Sequence, residues 1–480
     1  MLLVALILVP ALAALGAALP ARRAGRLAWL LAGTVLHAAV LVATWVTGPA
    51  AAAGGWLAFD PLGGLVLSLV SVLTVGVATY TVGFVRPGDP RAGRAFESCL
   101  LAFLAAASLV AVSHHLGLLW VGIEATTLAT APLIYQRDDP HSLEAVWKYL
   151  VVCSVGIALA LLGTFFLATA QVVGGVAGRP LVLDDLMRHG AGLHKAWVRA
   201  AFLFLAVGFG TKMGLAPLHT WLPDAHGEAP APVSALLSGA LLNCAFLGVL
   251  RAFQVANAAG EADFARPVLL GLGLLSLVVA AVFVVRQDNY KRLLAYSSVE
   301  HMGLLALGSG MGGLAIYGSL LHMLGSSIAK AVLFLLAGNI VAVYGSKLVQ
   351  DVQGVVRRLP VSGVLFLLAF LAITGSPPFV PFMSELAILT GAFRSGHAVL
   401  AVAMLALQAV VFIGMGSAFL GMSLGASPER GPPIRERAWQ VAAPAVLMTV
   451  LLVLGLHIPA PLQRALAAAA GSLGGVGGGP

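Results

Sequence analysis

Apolar runs of about twenty residues, the length an α-helix needs to cross the hydrocarbon core of a bilayer, recur from one end of this chain to the other. Of its 480 residues, 60% are hydrophobic and 10% are charged, whereas a soluble domain carries about 25% charged residues. So little polar surface cannot cover a water-soluble globule, and lipid must be the solvent for most of the chain. Backbone at membrane depth has to satisfy its own hydrogen bonds, which a helix does within one segment. The chain therefore reads as an all-α polytopic membrane protein. About fourteen spans are expected, near 2–20, 27–48, 61–85, 98–114, 116–135, 144–173, 197–221, 228–255, 266–286, 292–309, 312–343, 361–395, 397–424 and 438–459.

Several function classes drop out at once. The net charge of +8 comes from basic residues scattered singly or in threes, with no dense patch, so membrane topology explains it better than nucleic acid. Cys99, Cys153 and Cys244 lie far apart in apolar segments; they read as inert thiols and support neither a disulfide framework nor an iron–sulfur site. Arg22 and Arg23 follow the first apolar run, whereas a signal peptide has its charge in front, so that run reads as a span. No metal ligands are expected, and no motif for NAD, flavin, quinone or another cofactor is recognisable.

Topology can be tested on the loop charges. Loops after odd-numbered spans hold 17 Lys or Arg, among them Arg22, Arg23, Arg26, Arg86, Arg91, Arg94, Arg286, Lys291 and Arg292. Loops after even-numbered spans, with the C-terminal tail, hold 8. Odd loops are thus expected in the cytoplasm and both termini on the outer face. Only Lys212 and Lys330 are left inside spans.

A charge at the bilayer centre costs at least about 2.5–3.5 kcal/mol. Four positions carry that cost: Glu124 in LLWVGIEATTLATAPLIY, Lys212 in FLAVGFGTKMGLAPLHTW, Lys330 in HMLGSSIAKAVLFLLAG and Glu385 in TGSPPFVPFMSELAILTGAF. Two acids and two bases inside separate spans suit a proton relay, because burial lowers a lysine's proton affinity and a nearby carboxylate restores it. The bland alternative is a set of ion pairs that hold helices together.

The spans with Lys212 and Glu385 should also break, at Pro217 and at Pro377, Pro378 and Pro381, since proline removes a backbone donor and clashes with the preceding turn. Discontinuous helices mark ion pathways in transporters. GLAPLHTWLPDA from Gly214 and GSPPFVPFMSEL from Gly375 share five features in register, ending on Asp224 and Glu385. Chance competes with a repeat at that level. If the repeat is real, residues 1–97 precede a first five-helix unit at 98–255 and a second at 266–424, and a last helix covers 438–459. His322 lies two turns before Lys330, His301 follows Glu300, and His219 lies just past the first break; histidine accepts and donates protons near neutral pH. Each of them can equally be a hydrogen-bonded packing residue, and a haem-binding redox protein is a further alternative. His114 and His115 fall in a short connection and are expected to be solvated.

The stretch TKMGLAPLHTWLPDAHGEAPAPVSALLSGALLNCAFLGVLR, 211–251, resembles the signature of the antiporter-like membrane subunits of respiratory complex I, the multisubunit sodium/proton antiporters and the energy-converting hydrogenases. WVGIEATTLATAPLIY, SLEAVWKYL, DNYKRLLAYSSVEHMG and YGSKLVQDVQGVVRRLP agree, and the likeness runs from about 60 to 425. SVEHMG and HGEAPAPVSALLSGALLNC most resemble the component F branch of the hydrogenase-4 type. The resemblance implies two inverted five-helix repeats with broken helices 7 and 12. It implies a Glu124–Lys212 pair, a central Lys330 and a terminal Glu385. It also exposes a departure: Asn243 stands where several members have a lysine, and Ser238 where another branch has a histidine. Both order water, but neither titrates near neutral pH.

The function implied is proton translocation, as one subunit among other membrane subunits and a soluble redox arm, in the cell's inner membrane. Glu124, Lys212, His322, Lys330 and Glu385 would carry it, with His219, Ser238, Asn243, Glu300 and His301 as possible relays. Because no redox centre is recognisable, electrons would come from a partner. The alternatives are a cation/proton antiporter or inorganic-carbon uptake subunit without a redox arm, and a scaffold with dead channels.

Overall fold

The computed structural model describes residues 1–84, 95–135, 140–176, 178, 180–426 and 434–474. Arg86, Arg91 and Arg94 lie outside the described residues. Among those described the chain is helical, with isolated β-bridges in place of any strand. Among the described residues, eleven helices are long and apolar enough to cross a membrane. They are α2 (Arg23–Thr47), α3 (Pro61–Phe84), α4 (Ala95–Val112), α5 (Leu116–Ile134), α6 (Pro140–Val173), α7a (Lys195–Met213), α8 (Ala231–Ala258), α9 (Ala262–Val284), α11 (Leu314–Tyr344), α13 (Ala398–Leu424) and α14 (Ala438–Leu456). Shorter apolar helices α1 (Leu2–Ala18) and α12a (Pro360–Ile373) join them. So does α10 (Tyr290–Met311), whose Tyr, Ser, Glu and His residues dilute its hydropathy although every residue except Arg292 is buried. These are the expected spans.

Two of them are broken where the prolines stand. α7a stops at Met213 and resumes as α7b (Trp221–Glu228), and α12a stops at Ile373 and resumes as α12b (Val380–Arg394). Each break opens on a glycine in the left-handed region, Gly214 at φ 85° and Gly375 at φ 68°, which side chains disfavour. The freed polar groups find protein partners, as membrane depth demands. Ala216 N–H donates to Ser276 Oγ on α9 at 2.9 Å, and Trp221 Nε1–H donates to the Thr211 carbonyl at 2.9 Å.

The central helices are those hidden from lipid. α8 is buried throughout its apolar window and α11 over most of it, whereas α13 and α14 are mostly open to the surroundings. Small residues let the helices approach closely. A Cβ on Gly208 of α7a would stand 2.6 Å from the Gly156 carbonyl of α6, and one on Gly318 of α11 would stand 2.7 Å from the Ile388 nitrogen of α12b. α8 also contains a π-helical turn at Leu237–Leu241, a feature frequent at functional sites.

Three local expectations change. Arg251, counted above with the loop charges, is buried in α8. Its guanidinium grips Asp60, the residue before α3, from both nitrogens at 2.9 and 2.5 Å, and donates to Gln254 Oε1 at 3.1 Å. Interior charge is tolerated there because the partner is bidentate and charge-assisted. His114 is not solvated: it is buried, with Nε2 3.9 Å from Asp60, because its connection pairs with the Trp56–Ala58 segment that leads into α3. Beyond α14 an alanine-rich helix, Ala460–Gly471, follows where a plain tail is expected. Gln254 Nε2 donates to Ser472 Oγ at 3.0 Å, which ties that tail to the end of α8. The polar 175–196 connection contains a short helix, Leu183–Arg188.

Burial works to raise the Asp60 carboxyl, but the charge and hydrogen bonds of Arg251 overcome it and hold the group at about 2. The depressed value means that the pair's stabilisation is complete above the unfolded carboxylate value, about 3.9, and is lost as pH falls toward 2. Asp60→Asn is expected to destabilise the detergent-solubilised protein by about 3 kcal/mol, because it strands a buried guanidinium. It should also flatten the acid limb of the thermal stability profile. An unchanged melting temperature would show that the pair does not hold α3 to α8.

Candidate functional site

Close packing of α6 on α7a carries Lys212 into the protein interior, where it is fully buried. Its ammonium donates to Tyr149 Oη on α6 at 3.0 Å, sits 4.8 Å from that ring's centroid, and donates to Thr127 Oγ1 on α5. Thr127 in turn donates to Glu124 Oε2 at 3.1 Å, and Ser154 Oγ donates to Glu124 Oε1 at 3.5 Å. Glu124 and Lys212 are therefore linked through the Thr127 hydroxyl; among the described residues no direct ion pair joins them. Thr130 gives its proton to the Thr126 carbonyl at 2.7 Å, so Tyr149 donates to Thr130 at 2.6 Å and keeps its lone pairs for Lys212.

Lys330 on α11 is buried too. It donates to the Leu294 carbonyl at 3.1 Å and to Ser297 Oγ, both on α10. One turn further along α10 stand Glu300 and His301. His322, two turns before Lys330, faces the same helix: its Nε2 lies 2.9 Å from His301 Nδ1 and its Nδ1 lies 2.9 Å from Ser384 Oγ on α12b. Ser384 donates its proton to the Pro381 carbonyl at 2.7 Å. Its oxygen must then accept from His322 Nδ1–H, and His322 Nε2 accepts from His301 Nδ1–H. Glu385 and Glu300 line one cavity of about 230 Å³ with His301, Thr374 and Gln408. The Glu385 carboxylate folds back against Gly375, at the break in α12, where a Cβ would meet it.

Between the two lysines runs α8. Asn243 Nδ2 donates to the Gly239 carbonyl and to Ser327 Oγ on α11, each at 2.7 Å, while its Oδ1 is buried without a partner. Ser238, inside the π turn, shares a 2.8 Å hydrogen bond with Ser298 on α10. α8 thus reaches toward both α10 and α11 with polar, non-titrating groups. His219 borders the first break, half facing Tyr296 with ring centroids 6.4 Å apart, and its Nδ1 has no partner.

Two features carry no signal in the sequence alone. His226 in α7b is fully buried and stacks on Phe334 of α11 at 4.8 Å, with neither ring nitrogen hydrogen-bonded. Its place in a polar, helix-breaking motif suggests only an interfacial residue. The second is a charged mouth at the ends of α6, α7b and α10. There Lys148 meets Glu144 at 2.7 Å and Asp224 at 2.9 Å, Arg292 meets Asp224 at 2.9 Å, and Lys347 meets Glu228 at 2.8 Å. All of these residues but Lys347 line a polar cavity of about 220 Å³, and the spacing of their charges in sequence gives no sign of it.

The profile of the NADH:quinone oxidoreductase/Mrp antiporter transmembrane family matches residues 113–411. The chain belongs to this family. Among its relatives, the hydrogenase-4 component F homolog of Methylacidiphilum infernorum is 41% identical over 307 residues, 64% of either protein, so the match spans just under two thirds of that relative. NADH-quinone oxidoreductase subunit N of Desulforudis audaxviator is 30% identical over 448 residues, covering 91% of this chain and 88% of its own. In respiratory complex I from Thermus thermophilus a chain superimposes with a TM-score of 0.77 at 28% identity, over 95% of this chain and 97% of that one. For a member of this family, the buried charges of α7a, α10 and α11, with the half-buried carboxylates of α5 and α12b, are the part of the fold that ordinary membrane packing does not require.

Thr127→Val keeps the shape of α5 but leaves Lys212 short of an acceptor and Glu124 short of a donor. A loss of about 1–3 kcal/mol is expected in thermal unfolding, and Thr127→Ser should restore most of it. Equal stability of all three proteins would mean that Thr127 is not the link.

Proposed function

We propose that this chain translocates protons as a membrane subunit of a larger redox complex, of the hydrogenase-4 or complex I kind. The observation that carries the reading is the arrangement of two buried lysines, each on hydroxyl partners and each flanked by a carboxylate on a neighbouring helix. Burial disfavours the charged ammonium and a nearby carboxylate favours it, so movement of either carboxylate changes how readily its lysine gives up a proton. Protons would enter at the charged mouth around Asp224 and Lys148 and pass Glu124 and Lys212. They would cross α8 and continue over Lys330 and the His301–His322 pair to Glu385. The crossing at α8 is by water: the free Oδ1 of Asn243 and the free nitrogens of His226 need hydrogen bonds that the protein does not supply. His226 then serves as a hydrogen-bonding stop on the approach to Lys330, with Ser238 and His219 ordering further water.

The alternation of loop charges supports an orientation with both termini on the outer face of the cytoplasmic membrane. The matching local form of the two breaks supports the division into five-helix units at 98–255 and 266–424. Other membrane subunits and a soluble redox arm are the partners, since no cofactor site is recognisable in this chain. The component F and subunit N relatives favour this reading over a cation antiporter or carbon-uptake subunit without a redox arm.

In the native complex reconstituted in vesicles, Lys212→Ala and Glu124→Gln are each expected to lower redox-driven proton flux by about tenfold or more, equivalent to ~1.4 kcal/mol or more in the barrier, while the complex still assembles. Intact coupled flux in Lys212→Ala would leave the chain a scaffold. For topology, a C-terminal alkaline phosphatase fusion should be active and a C-terminal green fluorescent fusion dark; the reverse pattern would invert the assignment.

A further inference from the structure

α10, α11 and α12b bring together three potential metal ligands that are distant in sequence. One ligand atom each from His301, His322 and Glu385 lies within 4.8 Å of the others. We propose that these residues form a site for a divalent transition ion of the zinc type, and that an ion bound there takes the place of the hydrogen bond between the two histidines.

The donor set is two imidazole nitrogens and a carboxylate oxygen, which suits zinc or cobalt and is poor for magnesium or calcium. Zinc holds nitrogen at about 2.0–2.1 Å in a tetrahedral shell, so neighbouring ligands stand roughly 3.3 Å apart. The histidine nitrogens are 2.9 Å apart as they share a proton; spreading by a few tenths of an ångström admits the ion. The proton on His301 Nδ1 moves to its Nε2, so both imidazoles ligate in the neutral form and no net proton leaves them. Glu385 is half-buried and borders open cavity volume, which gives its carboxylate room to close on the ion. Glu300, on the same cavity wall, or a water can complete the shell.

A second observation is independent of the cluster. A metal-binding histidine nearly always donates its other N–H to a fixed acceptor, and His322 already does so. Its Nδ1–H points to Ser384 Oγ at 2.9 Å, whose own proton is committed to the Pro381 carbonyl at 2.7 Å. Nε2 therefore presents its lone pair toward His301. The three positions carry no metal-motif spacing, and only the packing of α10, α11 and α12b assembles them. The consequence for transport rests on the proton relay proposed above: a fixed dication between Lys330 and Glu385 would stop protons passing along the pair.

The test uses Co²⁺ as the probe, added to the purified full-length chain in its complex, with zinc as competitor. One Co²⁺ per chain with the visible absorption of a tetrahedral site, displaced by zinc, is expected. His322→Gln keeps a hydrogen-bonding side chain and should weaken binding at least tenfold. Ser384→Ala, which removes only the acceptor behind the ligand, should weaken it about 10–100-fold, as loss of such partners does elsewhere. Melting temperatures confirm that both variants fold. Unchanged Co²⁺ affinity in both, or no tetrahedral spectrum in the wild-type protein, overturns the site. Zinc inhibition of redox-driven proton flux, shifted to higher concentration in Ser384→Ala, supports both site and relay. Stoichiometric binding with undiminished flux keeps the site and removes the relay from this position.

Discussion

Everything in this molecule is arranged around the expense of a charged group away from water. Lys212 and Lys330 are enclosed on all sides, and neither rests against a carboxylate. Each is held by hydroxyl and carbonyl oxygens, Thr127 and Tyr149 for the first and Ser297 and the Leu294 carbonyl for the second. Neutral acceptors of this kind solvate an ammonium without locking it into a permanent ion pair. A salt bridge at the same place would be a rigid post. A hydroxyl cradle leaves the charge free to respond to its neighbours.

The close contacts between helices serve that arrangement. Glycines on α6 and α7a close the seam across which Tyr149 meets Lys212, and glycines on α11 bring α12b near enough for Ser384 to reach His322. Without them the same hydroxyls would hydrogen-bond only within their own helices. The breaks in α7 and α12 act similarly. They turn rigid spans into pairs of short segments whose polar ends face protein, and Glu385 lies against one of them. By contrast, Arg251 and Asp60 at the end of α8 form a bidentate, charge-balanced clamp, as a purely structural pair should.

Much of this was legible in the sequence because membrane solvation is an unforgiving filter. Apolar runs set the spans, prolines set the breaks, and an isolated charge in an apolar run must have a purpose, so Glu124, Lys212, Lys330 and Glu385 stood out. The periodicity of α11 placed His322 and Lys330 on one face, and both do meet α10. What stayed hidden depended on contacts between helices. Thr127 and Tyr149 are ordinary residues until Lys212 arrives beside them. Arg251 looked like a loop charge because its partner is almost two hundred positions away in the chain. His226 and the charged mouth became visible only once α7b folded back beneath α6 and α10.

The π turn in α8 bears on how the central seam is aligned. In an uninterrupted α-helix, five residues separate two side chains by about 140° around the axis, so Ser238 and Asn243 would point to widely different sides. A π turn winds less per residue and narrows that angle. Both groups then address the same side, Ser238 toward Ser298 on α10 and Asn243 toward Ser327 on α11. The surplus residue acts as an angular spacer: its removal would swing one of these two polar contacts away from its partner helix.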